Sequence, residues 1–378
     1  MAATGSAPVA RGAPLSSGAS STAGLLASML NAHGHVSDLI FSPGRLPQVE
    51  LQGQLVPIQV PGLRPLTADD TRRIAADLID NNKQAVNLLR EQGFCDISYG
   101  LSGVARFRVN VFIQRGSCAV VMRVIPTEIP TLASLGLPDE LAAITELREG
   151  IVLVTGPRAS GRSSTLAALL DRINEQRSCH IITVEDPIEF LHNHKRATVH
   201  QRELHSDTPT FALGLNAAMR QAPQVILVSE LRDRGTMEMA LEAAETGHLV
   251  LSSLNTMDPA KTIERVLGMF LSSEQITTRS RLAKTLRYAI TQRLLPRRDG
   301  KGRVAAVEIL KITSRIRAFI ENESQPAIGL MQAMQNAAGE GIQTLDSALE
   351  NLVSSGQVTA ETALAYASDP KTFTATTA

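Results

Sequence analysis

The sequence contains no tryptophan, and aromatic residues make up only 3% of its 378 positions. That scarcity argues against binding nucleic acid by stacking bases on aromatic faces, and against an aromatic belt at a membrane interface. Net charge is also missing: 37 Lys and Arg balance 37 Asp and Glu, so no bulk field draws the chain to a polyanion. No uncharged apolar run approaches the roughly 20 residues needed to cross a bilayer. The N-terminus lacks a charged stretch followed by an apolar core and a cleavage site, so secretion is not expected. Cysteine is scarce as well. Cys95, Cys118 and Cys179 are odd in number and form no C-x-x-C pair, which suits reduced thiols better than a disulfide framework or a zinc module. The expectation is a soluble intracellular protein that takes no nucleic acid as partner.

The length is enough for two domains of ordinary size. Residues 1–22 are rich in Ala, Ser, Gly and Pro and are expected to form a disordered tail, as are 366–378. Residues 23–125 mix short helices and strands. In "TADDTRRIAADLIDNN", Ile74, Leu78 and Ile79 share a helical face behind Thr67 or Asp69 as cap. "ARFRVNVFIQ" alternates Phe107, Val109, Val111 and Ile113 with Arg106, Arg108 and Asn110, the pattern of a half-exposed strand. "SCAVVMRVIP" reads as its hairpin partner across Gly116. A proline-punctuated connector, 126–149, leads into a second domain at 150–365. There the branched apolar cores "IVLV", "HIITV", "QVILV" and "HLVLSSL" alternate with helices, as in a parallel sheet covered on both faces. Ligands are expected at the carboxyl ends of such strands. After about Ser272 helices are expected to dominate.

The stretch "IVLVTGPRASGRSSTLAALL" carries the strongest chemical signal. Gly156 and Gly161 bound a loop between an apolar strand and a helix whose Leu166, Leu169, Leu170 and Ile173 follow helical spacing. Such loops follow G-x-x-x-x-G-K-[ST], where glycines let backbone N–H groups converge on phosphate and the helix N-terminus adds its dipole. Ser163 closes the motif, but Arg162 stands where lysine belongs. A tight strand–helix turn with no ligand is the bland alternative for the loop alone. Further along, "ITVEDPIEF" sets Glu185 and Asp186 past a buried strand, and "VILVSELRD" does the same with Glu230. Carboxylates so placed can serve a magnesium ion or a water, although many merely cap helices. "TGHLVLSSLNT" sets His248 before a strand and Asn255 after it. His192, His194, His200 and His205 cluster in sequence, but their spacing fits no standard zinc pattern.

With these motifs stand "SDLIFSPG", "HQRELHSDT", "AAETGHLV", "DGKGRVAAVEIL" and "GIQTLDSAL", in that order. From about residue 30 to 355 the chain resembles the PilT-type motor ATPases of type IV pili, within the wider secretion ATPase superfamily. The resemblance implies a RecA-like P-loop NTPase core of α/β class, preceded by a small α+β PAS-like domain. It also implies a hexameric ring fuelled by ATP and Mg2+, at the cytoplasmic face of the inner membrane, acting on a pilus platform protein. It implies that Gly156, Pro157, Arg158, Ala159, Ser160, Gly161, Arg162, Ser163 and Ser164 hold the phosphates. Ser163 and Glu230 would serve the magnesium ion, and Glu230, Glu185 and His248 the catalysis. Arg106, Arg108, Arg115 and Arg123 lie where the family supplies arginines across the subunit interface; a solvated strand face is their alternative.

The departures from the family pattern are Arg162 for lysine, Ala159 for glycine, Asn255 for a second histidine, Ser229 for glycine, and Gln221 and Gln224 for an acidic pair. "SRIRAFIE" matches a retraction-associated element only in part. Arg162 is the serious one, since a planar guanidinium replaces a compact ammonium that acts as a point charge between phosphates. The expectation is a nucleotide-binding motor-family subunit acting in pilus retraction, with hydrolysis impaired by Arg162 and Asn255. A fully active retraction ATPase and a non-catalytic partner in a mixed ring with an active paralogue both stay open. A motor for another secretion machine is disfavoured by the branch of the resemblance.

Overall fold

Thr67 starts a helix by a reciprocal pair of bonds: its hydroxyl accepts from the Asp70 amide, and Asp70 accepts from the Thr67 amide. This capping box satisfies two amide groups that a helix start otherwise leaves unpaired. The helix, α2 below, belongs to the first of two units into which the chain divides, Met1–Thr127 and Glu128–Ala378. The computed structural model describes residues 21–32, 36–51, 54–58, 63–126, 128–322, 327–337, 340–368 and 370. The expected tails lie almost wholly outside the described residues, although a first helix already starts at Thr22.

The first unit contains α1 (Thr22–Ala32), β1 (Asp38–Phe41), β2 (Gln48–Leu51), β3 (Gln54–Pro57), α2 (Ala68–Ile79), α3 (Lys83–Gln92), β4 (Phe94–Leu101), β5 (Ala105–Gln114) and β6 (Ser117–Ile125). The strands form an antiparallel sheet in the order β3-β2-β1-β6-β5-β4. Phe107, Val109 and Val111 of β5 are buried as the alternation predicts, together with Ile74, Leu78 and Ile79 of α2. Ile113, one strand position from the hairpin end, is exposed instead. The hairpin turns at Arg115 and Gly116, both at positive φ, the backbone that two-residue hairpin loops favour.

The second unit opens with a 3-10 helix at Asp139–Glu146, then β7 (Gly150–Thr155), α4 (Arg162–Gln176), β8 (His180–Glu185), β9 (Thr198–Glu203), α5 (Phe211–Met219) and β10 (Val225–Val228). It continues through α6 (Arg234–Glu245), β11 (Leu249–Leu254), α7 (Pro259–Leu267), α8 (Gln275–Thr285), β12 (Leu286–Pro296), β13 (Arg303–Lys311), α9 (Ser314–Glu321), α10 (Ala327–Asn336), α11 (Leu345–Ser354) and α12 (Ala360–Tyr366). Seven strands line up as β13-β12-β7-β11-β10-β8-β9, parallel except for β13. Alternate side chains serve two cores: Val152, Val154, Leu249 and Leu251 pack with α4, while Ile151, Leu153, Val250 and Leu254 pack with α5 to α8. Burial on both faces explains why these strands read as continuous apolar runs.

One expectation changes and one is incomplete. The connector 126–149 is not free chain, because Leu132, Leu137, Leu141 and Ile144 are buried in the same core as α4. Helices do dominate after Ser272, from α8 to α12, but β12 and β13, which the sequence does not reveal, form a long antiparallel hairpin on the sheet among them. In "LRYAITQRLLP" polar Thr291, Gln292 and Arg293 interrupt the apolar positions, which hides the strand from a pattern search. Their partners exist only in the folded chain: Thr155 for Thr291, Thr165 for Gln292, and the Met257 and Tyr366 carbonyls for Arg293. All three cysteines are free, and Cys95 and Cys118 are buried. Among the described residues, no helix is long and apolar enough to cross a membrane.

One carboxyl in this sheet has a measurable consequence. Glu308 of β13 is buried, with Asp258 and Asp346 nearby and only Arg293 and the Leu345 backbone opposing them, so its pKa is pushed up to about 8. The folded chain therefore keeps a proton that the unfolded chain releases above the normal value of 4.5. The contribution of this group to stability falls as pH rises from about 4.5 to about 8. Glu308→Gln removes that cost, so its melting temperature should exceed the parent's by about 5 °C at pH 8.5. The gap should close near pH 4.5, and a constant gap across calorimetric scans at both values would count against this reading.

Candidate nucleotide site

β7 ends at Thr155, and the chain leaves it through Gly156 at φ +139°. A Cβ on Gly156 would lie 2.3 Å from the Gln292 carbonyl oxygen, and one on Gly161 would lie 2.7 Å from Gln292 Nε2. At Gly156 the obstacle is backbone, so only glycine fits; at Gly161 it is the end of the Gln292 side chain, and the φ of +88° is what favours glycine. The Oε1 of Gln292, on β12, accepts from Thr165 Oγ1 at 2.7 Å, and one position earlier Thr291 Oγ1 bonds Thr155 Oγ1 at 2.8 Å. The polar residues of β12 thus hold the loop against the sheet. Ala159, where the family has glycine, sits at φ +61°, a backbone that costs an L-residue about 1 kcal/mol. Its carbonyl accepts from Arg303 Nη1 at 3.4 Å. Loop residues 158–164 with Glu189, Leu294 and Arg303 line a cavity of about 390 Å³, within the range of roughly 300–1,000 Å³ common for small-molecule sites.

The sheet order places the remaining candidates in a row. β7, β11, β10 and β8 are neighbours, so the loop, Asn255, Glu230 and Glu185 all stand at the carboxyl edge. Arg162 opens α4, but its side chain bends back beneath the loop. Nη1 donates to the Gly156 carbonyl at 2.9 Å, to the Leu254 carbonyl at 2.8 Å and to Asn255 Oδ1. Asn255 Nδ2 donates to Glu230 Oε1 at 2.9 Å. Arg232 Nε donates to Glu230 Oε2 at 3.0 Å and its Nη1 to Asp186 Oδ2 at 2.8 Å. Burial lowers the Arg162 pKa below the usual arginine value, while Glu230 and Glu189 pull it upward. The guanidinium remains charged, because arginine starts so far above neutrality.

Glu185 is buried at the end of β8, and Thr183 Oγ1 at 2.6 Å and Gln201 Nε2 at 3.0 Å both donate to its Oε1. Loss of solvent dominates over these bonds and raises its pKa to about 7. With Ser163, Glu189 and Ser229 it lines a cavity of about 30 Å³, enough for a water molecule. Ser229 does not stand at positive φ, and its hydroxyl accepts from the Asp186 amide at 3.3 Å. A serine in place of the family's glycine is accommodated.

The fold does not bring His248 to this edge. It precedes β11, its carbonyl accepts from the Gly150 amide at the start of β7, and its Nδ1 lies 2.9 Å from the Ala243 carbonyl. Six strand residues, about 20 Å at strand rise, separate it from Asn255. Within one chain His248 therefore does not meet the loop; the strand that joins it to Asn255 is also what keeps the two apart.

The four arginines belong to the first unit. Arg123 is held by Asp38 through Nε at 2.9 Å and Nη2 at 3.2 Å. Arg108 pairs with Arg123 in register across β5 and β6, and both line a cavity of about 220 Å³ with Asp38, Asp96 and Asn110. Arg106 lies further along β5, and Arg115 is in the hairpin turn at φ +47°. Of the histidines that cluster in sequence, His192 Nδ1 faces Asp171 at 3.5 Å and His194 Nδ1 accepts from the Val199 amide, while the His200 ring packs edge-on against both His194 and His180 and bonds His180 at 2.8 Å. Among the described residues no group of three or more His, Cys, Asp or Glu is placed to hold a metal.

Sequence reasoning missed Gln292, Thr165, Arg232 and Arg303. Arg232 follows Glu230 by two residues and so had a positional hint. Gln292 had only its polarity inside an apolar stretch, and its role depends on a contact 127 residues away in sequence.

A family profile for "Type II/IV secretion system protein" matches residues 97–300, more than half of the chain. Among similar proteins, the "Type IV pilus retractation ATPase PilT" of Pseudomonas aeruginosa is 41% identical over 337 residues, covering 89% of this chain and 96% of that protein. A "Twitching motility protein" of Neisseria gonorrhoeae is 39% identical over 317 residues, covering 84% and 83%. A crystal structure of the pilus retraction motor PilT with bound ADP superposes with a TM-score of 0.83 at 38% identity, covering 93% of this chain and 98% of that one. The loop, its acidic neighbours and these likenesses agree: the chain belongs to the type II/IV secretion system family, on its PilT-type branch, with an altered Walker A loop.

Proposed function

We infer that this chain is a nucleotide-binding ring subunit of a type IV pilus retraction motor, and that it hydrolyses ATP slowly. The observation that carries the reading is the glycine cradle combined with a guanidinium whose Nη1 is bonded to the Gly156 and Leu254 carbonyls and to Asn255. The loop amides, the start of α4 and Ser163 fit a triphosphate with magnesium: Gly156 has no room for a Cβ, Gly161 stands at φ +88°, and Ser160 Oγ is buried in the loop with no protein partner. Ser163 and Glu230 would hold the magnesium ion. The metal supplies charge neutralisation on the phosphates. The chain's own contribution is to position the phosphates through the loop, and to hold a proton at Glu185, whose pKa near neutrality suits exchange with a water in the adjoining cavity. What it lacks is the free cation beside the terminal phosphates, because Arg162 Nη1 is committed to three acceptors of the protein. Losing one such stabiliser typically costs about 100-fold or more in rate.

The seven-stranded unit is read as a RecA-like core and the six-stranded unit as a PAS-like domain. The ring would be a homo-hexamer, or a mixed ring with an active paralogue, peripheral at the inner membrane face and acting on a pilus platform protein. Arg106, Arg108, Arg115 and Arg123 are the arginines it would offer to a neighbour's phosphate; in the single chain Arg123 is held by Asp38. A non-catalytic ring partner is the second reading, favoured by the occupation of both Glu230 carboxylate oxygens.

Purified protein should bind MgATP and turn it over slowly, and Arg162→Lys should raise turnover at least about tenfold. A parent already working at about 1 per second or faster, and unchanged by the substitution, would contradict impaired hydrolysis. Glu230→Gln should remove the residual turnover while ATP binding persists; equal turnover in both would assign the second reading. Residual hydrolysis should climb between pH 6 and 8 as Glu185 ionises through about 7. Glu185→Gln should lower and flatten that profile, and an unaltered profile would remove Glu185 from proton transfer.

A further inference from the structure

Arg162 and Asn255 are 93 residues apart in sequence, both depart from the family pattern, and their side chains touch. Asn255 follows β11, the strand between β7, which feeds the loop, and β10, which feeds Glu230. An amide at that point reaches both ways. Its oxygen accepts from Arg162 Nη1, and its nitrogen donates to Glu230 Oε1 at 2.9 Å. Arg232 closes the other side of the carboxylate at 3.0 Å. The two departures therefore form one connected unit.

We propose that Asn255 is a positioning residue that ties Arg162 to Glu230 as a latch, so that the guanidinium can engage a phosphate only as the Glu230 carboxylate is released. The proposal rests on the nucleotide reading of the pocket. Nη1 carries two hydrogens, and both are engaged by the Gly156 and Leu254 carbonyls and by Asn255 Oδ1. Swinging the headgroup toward the cavity leaves these acceptors without their charged donor, and the amide is no longer held between its neighbours. The Asn255–Glu230 bond then loses its fixed geometry. In the other direction, a ligand group that draws Glu230 away removes what orients the amide toward Arg162. Each partner's release lowers the cost of the other's, which is a positive coupling between phosphate contact and carboxylate availability. A lysine also offers three hydrogens from one nitrogen, but on a stem one atom shorter, so Arg162→Lys draws the charge back from the acceptors that Nη1 reaches.

A double-mutant cycle with Arg162→Lys, Asn255→Ala and the pair tests this. Asn255 is exposed, so the substitution leaves the core intact. The readouts are urea unfolding without nucleotide and the affinity for a fluorescent ATP analogue with Mg2+. Asn255→Ala should tighten binding of the analogue about fivefold with Arg162 present and change it less than about twofold in the Arg162→Lys background, with non-additive unfolding midpoints. Asn255→Gln, which keeps both ends of the amide at a different reach, should behave as Asn255→Ala does. Equal effects in both backgrounds, or additive midpoints, overturn the latch while the nucleotide reading stands. If neither the parent nor Arg162→Lys binds the analogue, the nucleotide reading itself falls and the latch falls with it.

Discussion

A guanidinium cannot lose its charge inside a protein, so whatever surrounds Arg162 must supply acceptors. That requirement organises the site. Two of the acceptors are backbone carbonyls, one in the loop at Gly156 and one at the end of β11 at Leu254. The third is the Asn255 amide, which passes the contact to Glu230. The charges then alternate along the carboxyl edge of the sheet, from Arg162 through Glu230 and Arg232 to Asp186. Each positive group lies beside a negative one, directly or through the neutral amide. Arg232 is about half exposed, so its two ion pairs contribute modestly to stability and serve chiefly to fix the Glu230 and Asp186 carboxylates.

The sheet makes this row possible. Parallel strands deliver their carboxyl ends to one edge, and the order β7-β11-β10-β8 sets the loop, Asn255, Glu230 and Asp186 on consecutive strands. β12 contributes differently, from the far side of β7. The Gln292 carbonyl leaves no room for a Cβ on Gly156, its side chain lies against Gly161, and it also holds Thr165 on the first helix after the loop. The cradle is thus shaped by a residue that touches no phosphate-binding position in sequence. Strain at Ala159 is absorbed in the same loop, whose ends are fixed by β7 and α4.

Local patterns were legible where the chain's neighbours in space are also neighbours in sequence. The capping threonine of α2, the β5–β6 hairpin with its turn at Gly116, and the four central strands of the second unit could be read from periodicity, because burial on one face or two leaves a period behind. The glycine loop and the strand-end carboxylates were legible for a related reason, since the motif fixes a turn and the turn fixes the strand end. β12 was not, as its polar middle is explained only by partners across the sheet. The connector 126–149 looked open because prolines punctuate it, yet its leucines are buried against α4. His248 was placed with the site by resemblance, and the strand that follows it carries the chain to the site only at Asn255.

The chemistry of position 255 follows from that of position 162. A histidine there would become a cation when protonated and would then face Arg162 across a hydrogen-bonding distance, two like charges in a half-buried pocket. A neutral imidazole offers one acceptor and one donor, but on opposite edges of a rigid ring. The asparagine amide offers both on one carbon and stays uncharged at every pH where the protein folds. It can therefore receive the guanidinium and still donate to Glu230, whose carboxylate balances the Arg162 charge through the bridge. An arginine in the loop thus favours an amide after β11, and an amide after β11 gives that arginine a reason to stay beneath the loop.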